Sequence, residues 1–399
     1  MRTALAAFLL CLLAGALLAG RSAGSAAEPE PEGPPIELRS ELPAWRAPGA
    51  PLRVRGFAGR EEPVELLVGG RVAARATTGV RGGFELVAWA PAPGLHAVAV
   101  RAGERMAPLG ELRVRPLRLA AVGDVMFSEA VGRALAAHGA AHPWAAAGPL
   151  LRGADLATAN LETAVSTRGA PVPGKQYVFR GPPAALRGMA RTGGIDVVSV
   201  ANNHTLDYGR DAFLDTLRHA RAAGIGPVGG GATAAAARRP VVREAGGVRV
   251  AFLAYSDVNP LGFPAGPSTP GVARAVPEHV TADVRAARRA ADVVVVWFHW
   301  GEELRAEPTA AQQRLAAAAL NGGAQVVLGA HPHVLGRVVV PRRGSLVAWS
   351  LGNFVFPSFR PQTVRTAVLV VRLGAGGVVG HDALPHRIEG YRPVPVPAR

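Results

Sequence analysis

Five short apolar runs in this chain each end in a residue able to bind a metal ion or move a proton. They cover 119–124, 156–162, 197–204, 293–299 and 326–333. An apolar run of about four to eight residues bounded by turn residues reads as a buried strand. In α/β sheets, ligands sit outside the carboxyl ends of the strands. Asp124, Asn160, Glu162, Asn203, His204, His299, His331 and His333 are therefore expected to meet on one rim. A set of carboxylates, carboxamides and imidazoles of this kind is the makeup of a di-metal hydrolase site.

The rest of the composition fits such a reading. The chain has 399 residues, 49% hydrophobic and 18% charged, which gives room for two domains and a large core. A net charge of +15 points at first to nucleic acid. Lys175 is the only lysine, however, and the arginines are scattered among Ala, Gly and Pro. No arginine cluster is interleaved with aromatic residues, so nucleic acid is not expected as a partner.

The N-terminus reads as a targeting segment. Arg2 precedes an apolar stretch over 4–18, and Ser25-x-Ala27 fits a small-x-small cleavage site. A signal peptide over 1–27 implies export to the periplasm, the cell envelope or the medium. The apolar stretch is shorter than the roughly 20 residues that span a bilayer, and an uncleaved anchor is the second reading. Cys11 is the only cysteine. Cleavage after Ala27 removes it, so no disulfide is expected.

Residues 28–35, rich in Glu and Pro, read as a linker. Alternating segments near 52–56, 64–68, 83–87 and 96–100 predict a small Ig-like β-sandwich over 36–115. An N-terminal extension of the main sheet is the other reading. From residue 116 apolar strands alternate with helical stretches near 128–138, 211–223, 278–291 and 309–321. Gly224 and Gly322-Gly323 supply stop signals. This predicts an α/β domain over 116–388 and a tail over 389–399. The Pro- and Gly-rich segment 258–270 is expected to border the site.

Each polar residue carries a bland reading beside the chemical one. Asp124 is a hard oxygen ligand or a helix N-cap. Glu162 bridges two cations or is a surface carboxylate; strand alternation would put it on one face with Asn160. In Asn202-Asn203-His204, a carboxamide ligates while the imidazole protonates a leaving group, with Asp207 to orient it; the alternative is a capped turn. His299 is a ligand or a satisfied core histidine, and Glu303 behind it is an acid or a partner to a ligand. His331-Pro332-His333 sets two imidazoles in a stiff loop, each able to face a different cation. Asn353 supports the site by hydrogen bonding or belongs to a turn. Asn160, Lys175 and Asn353 are the candidate substrate-binding side chains.

Six motifs in this order resemble the CapA family, the poly-γ-glutamate capsule-synthesis proteins within the calcineurin-like metallophosphatase superfamily. They are Gly123-Asp124-Val125-Met126, Asn160-Leu161-Glu162-Thr163, Ala201-Asn202-Asn203-His204 with Asp207-Tyr208-Gly209, His299-Trp300-Gly301-Glu302-Glu303, His331-Pro332-His333 and Ser350-Leu351-Gly352-Asn353-Phe354. The resemblance spans 117–356. It implies a four-layer α/β/β/α sandwich and one or two divalent metals of the Mn, Fe or Zn type. It also implies that Asp124 and His333 hold one metal, that Asn203, His299 and His331 hold the other, that Glu162 bridges, and that His204 is the acid. Met126 departs from it, since the wider superfamily has a histidine there.

The expected function is metal-dependent hydrolysis at the cell surface, acting on an anionic polymer or a phosphoester in capsule or poly-γ-glutamate biosynthesis. Membrane-bound capsule-synthesis machinery is an expected partner. The alternative is a non-catalytic accessory that binds or transports the polymer through the same rim.

Overall fold

The computed structural model describes residues 33–357 and 360–397. The expected signal peptide and the start of the linker lie outside the described residues. Strands of the larger unit are β1 (Leu117–Val125), β2 (Leu156–Leu161), β3 (Val197–Ser199), β4 (Gly226–Val228), β5 (Val241–Ala245), β6 (Val248–Ser256), β7 (Val293–His299), β8 (Val326–Ala330), β9 (Val338–Val339), β10 (Leu346–Ala348), β11 (Asn353–Val355), β12 (Arg365–Gly374), β13 (Gly377–Glu389) and β14 (Arg392–Pro395). Its main helices are α1 (Glu129–His138), α2 (Ala184–Arg191), α3 (Gly209–Ala222), α4 (Pro277–Arg288) and α5 (Ala310–Gly322). The four helices expected from the sequence lie within three residues of these bounds. In α5, Thr309 and Gln312 form a capping box, and Gly323 closes the helix in the left-handed region.

Beside two short ladders, Ala164–Val165 with Arg180–Gly181 and Gly230–Gly231 with Gly271–Val272, these strands make the two main sheets. One runs β4-β3-β2-β1-β12-β13-β14, with β11 also paired to β1. It is parallel from β4 to β1 and antiparallel from β1 to β14. The other runs β5-β6-β7-β8-β10-β9 and is parallel through β6, β7, β8 and β10. The period of two along β7 sets the layering. Val293, Val295 and Trp297 share a core with Leu119 and Ala121 of the first sheet. Val294, Val296 and Phe298 pack instead with Val280 and Val284 of α4 and Leu315 and Ala319 of α5. Val131, Leu186, Met189, Phe213 and Leu217, from α1 to α3, close the first sheet's other side. Each fully buried Val, Leu or Phe contributes about 1.5–3 kcal/mol.

Before residue 116 the chain forms two smaller sheets over one core that includes Val54, Leu66, Leu86 and Val100. The first pairs Glu37–Leu38, Pro51–Phe57 and Gly83–Trp89; the second pairs Arg71–Thr77, Pro63–Val68, Gly94–Ala102 and Arg105–Val114. Arg71–Thr77 was not legible as a strand, because its alternation sets arginine against alanine on a half-exposed face. The segment between the first two strands reaches the larger unit. Ala47 and Ala50 join its core, and the Arg115 guanidinium lies 3.7 Å from the centre of the Trp45 ring.

At the other end, residues expected as a tail contribute β14, which pairs with β13. The turn at Gly390 and Tyr391, both with positive φ, brings the chain back.

Candidate metal centre

The carboxyl ends of both sheets supply the site. Asp124 ends β1, Asn160 and Glu162 end β2, and 202–207 follows β3; His299 ends β7, and His331 and His333 follow β8. Asp124, Asn160, Glu162, Asn202, Asp207, His299 and Asn353 have no more than 0% exposure, and His204, His331 and His333 are buried with 6–7%. The start of β11 lies beside the end of β1, with Asn353 opposite Asp124. That approach requires Gly123, because a Cβ there would fall 1.8 Å from the Gly352 carbonyl oxygen.

Ligand-grade atoms gather in three groups, each within 4.8 Å: Asp124 with Glu162 and His333; Glu162 with His299 and His331; and Glu303 with His331 and His333. Glu162 belongs to the first two groups and joins them. Asn203 approaches the second, its Oδ1 lying 2.9 Å from His299 Nε2. His331 and His333 hold positive φ of 95° and 58°, a conformation that costs a non-glycine residue of order 1–3 kcal/mol and clusters at functional sites.

Carboxamides lock the ligands in place. Asn160 Nδ2 donates to Asp124 Oδ1 at 2.9 Å and lies 3.3 Å from His299 Nδ1. Asn353 Oδ1 is 2.8 Å from His333 Nδ1, which also lies 3.3 Å from Asp124 Oδ2. Asn202 was not assigned a role from the sequence. It donates to Asn160 Oδ1 and to the Leu161 carbonyl, and its own oxygen accepts from the backbone of His204 and Thr205. Its position in the Asn202-Asn203-His204 triplet was the available signal. Asn160 and Asn353, expected to meet substrate, thus orient ligands through these contacts.

Asp207 holds His204 as the sequence suggested. Its Oδ2 lies 2.7 Å from His204 Nδ1 and accepts from the Phe179 backbone at 2.7 Å. Phe179 stacks on the imidazole with ring centres 4.0 Å apart. Lys175 was expected to meet substrate. Its ammonium instead contacts Asp207 and the Asn203 carbonyl, and lies 3.1 Å from His204 Nδ1. Lys175 Nζ is also 5.3 Å from the Phe263 ring centre, so the 258–270 loop borders the site as expected. Met126 turns its sulfur toward the Ser128 N–H at 2.9 Å and packs with Phe179 and Phe356.

The electrostatics fit a cation. Both Glu162 oxygens are buried without a hydrogen-bond donor, and so is His331 Nδ1. Burial and the Asp124 charge push the Glu162 carboxyl well above its ordinary value. Burial holds His299 well below the usual imidazole range and takes His331 down to about 3. His333 goes the other way. Burial lowers it, but Glu162, Asp124 and Asn353 outweigh that and raise it to about 9. A buried carboxylate with no donor is costly unless a proton or a cation meets it. Two carboxylates, three imidazoles and a carboxamide match the donors that Mn, Fe and Zn accept.

The family model for the bacterial capsule synthesis protein PGA_cap matches residues 118–358. The chain is 31% identical over 277 residues to the PGA biosynthesis protein CapA of Bacillus subtilis (strain 168), covering 69% of this chain and 72% of that protein. It is 30% identical over 312 residues to the capsule biosynthesis protein CapA of Bacillus anthracis, covering 76% and 75%. Among solved structures it is similar to the calcineurin-like phosphoesterase YfkN from Bacillus subtilis, with a TM-score of 0.39 and 15% identity over 68% of this chain and 91% of that one. With the family model matched across most of the larger unit, the chain belongs to the PGA_cap family of bacterial capsule synthesis proteins.

Proposed function

We propose that this chain is an exported metal-dependent hydrolase of capsule or poly-γ-glutamate biosynthesis, cutting a bond in an anionic polymer or in a phosphoester precursor of it. The observation that carries the reading is Glu162, a fully buried carboxylate that receives no hydrogen bond among the described residues and is common to two groups of ligand atoms. Asp124 and His333 would hold one cation with Glu162; His299, His331 and Asn203 would hold another with it. When bound, such cations supply a Lewis acid and lower the pKa of water.

The chain's own groups provide the remaining steps. Asp207 accepts from Nδ1–H of His204, which leaves Nε2 to give a proton to the leaving group. Phe179 fixes the plane of that ring. Glu303 is exposed beside His331 and His333 and sits at the mouth of the site. The segment over 1–27 directs export. The N-terminal unit serves as an Ig-like spacer or binding module, and the protein works beside membrane capsule-synthesis machinery. No helix among the described residues is long and apolar enough to cross a membrane.

The test is to load the purified protein with Mn²⁺, Fe²⁺ or Zn²⁺ and follow products from poly-γ-glutamate and from a phosphodiester. Turnover that depends on the metal supports the proposal. A metal-loaded protein that binds polymer and turns over neither substrate overturns it in favour of a binding accessory.

A further inference from the structure

At the side of the sandwich, away from the metal ligands, the free edges of the two sheets meet. The edge strands β4 and β5 flank a cavity of about 530 Å³. Leu217, Ile225, Pro227 and Val241 make an apolar wall, and Arg221, Arg239 and Arg243 line its rim. No Asp or Glu lines it, and none of its lining residues belongs to the metal centre.

These three arginines differ from their sequence neighbours. Arg218, one turn before Arg221 on α3, pairs with Asp215 at 2.8 Å. Arg238, beside Arg239, makes a two-pronged pair with Asp283 at 2.7 Å on each arm. Among the described residues, the Arg221 and Arg239 side chains have no hydrogen bond or ion pair, and only their backbones are bonded. Arg243 donates to the Val242 and Asp196 carbonyls at 3.3 and 3.4 Å, and its charge also acts on the Asp196 carboxylate. Glycine opens the space: a Cβ on Gly226 would come within 2.8 Å of the Arg243 guanidinium. The volume lies in the range of small-ligand sites.

We infer that this cavity is a second binding site, taking a short stretch of a carboxylate-bearing chain. Guanidinium groups bind carboxylates through paired N–H donors. An apolar wall between them suits the methylene groups that separate the charges of a glutamyl polymer. The inference rests on the polymer reading of the function. A long chain held here keeps its next repeats near the metal centre at a raised effective concentration.

The experiment measures binding of a poly-γ-glutamate oligomer at low salt to three proteins: the parent, R221Q/R239Q and H331A. No hydrogen bond or ion pair of either side chain is lost among the described residues, so the double variant is expected to keep its Tm and metal content. The expected result is at least a tenfold loss of affinity in R221Q/R239Q and near-parent affinity in H331A. Unchanged affinity in R221Q/R239Q, with loss in H331A, overturns this site and leaves the polymer reading standing. No binding by the parent overturns both.

Discussion

Trp297 of β7 donates its indole N–H to Thr158 Oγ1 of β2 at 2.9 Å, across the interface between the two sheets. Both residues are fully buried. Thr158→Val keeps the shape and leaves the indole donor without an acceptor. The expected cost is about 1–3 kcal/mol, read as a lower urea midpoint at an unchanged m-value. No change in the midpoint would mean that the bond contributes nothing net.

His331 and His204 separate ligand from acid. His331→Ala is expected to remove metal and to lower the Tm of the loaded protein, since a ligand that binds only the folded state stabilises it by mass action. His204→Ala is expected to keep metal content and to lose about 10²–10⁴-fold in turnover. Elemental analysis and thermal melts distinguish the two. Metal loss in both variants would place His204 among the ligands.

The metal-free protein is expected to lose stability as pH rises from about 6.5 to about 9. His333, at about 9 when folded, binds its proton more tightly folded than unfolded. Its stabilisation is complete below its unfolded value near 6.5 and is lost as pH rises through about 9. His331, at about 3, and His299, also lowered, do the reverse and destabilise the fold as pH falls below that unfolded value. Metal-free Tm against pH checks this. A profile that rises steadily from pH 6.5 to 9 contradicts it.

Asn353 is expected to tune metal affinity without touching the metal. Its Oδ1 meets His333 Nδ1 at 2.8 Å, and outer partners of this kind are worth about 10–100-fold in affinity. Asn353→Ala should weaken binding by that factor in a chelator competition. An unchanged constant would reduce Asn353 to a turn residue.

The strand ends were legible because burial on both faces writes an unbroken apolar run, and a polar residue that ends such a run stands out. Asp124, Glu162, His299 and His331 were found in this way. The contact of Lys175 with Asp207 was not legible, because the two lie 32 positions apart. Arg221, Arg239 and Arg243 were invisible as a group for a similar reason. They come from a helix end, a loop and an edge strand, and the arginine-rich background hides them. Three strands of the N-terminal unit were missed: Glu37–Leu38 is only two residues long, Arg71–Thr77 sets arginine against alanine, and Pro108 and Gly110 interrupt Arg105–Val114.

Drawing the ligands from both sheets has a mechanical consequence. Asp124 and Glu162 move with one layer, and His299, His331 and His333 with the other. A cation held between them is a cross-link, and it closes at the rim the gap that Trp297 and Thr158 close from within. The two layers then open together or not at all. Loading the site would tie the two sheet ends into one cooperative unit.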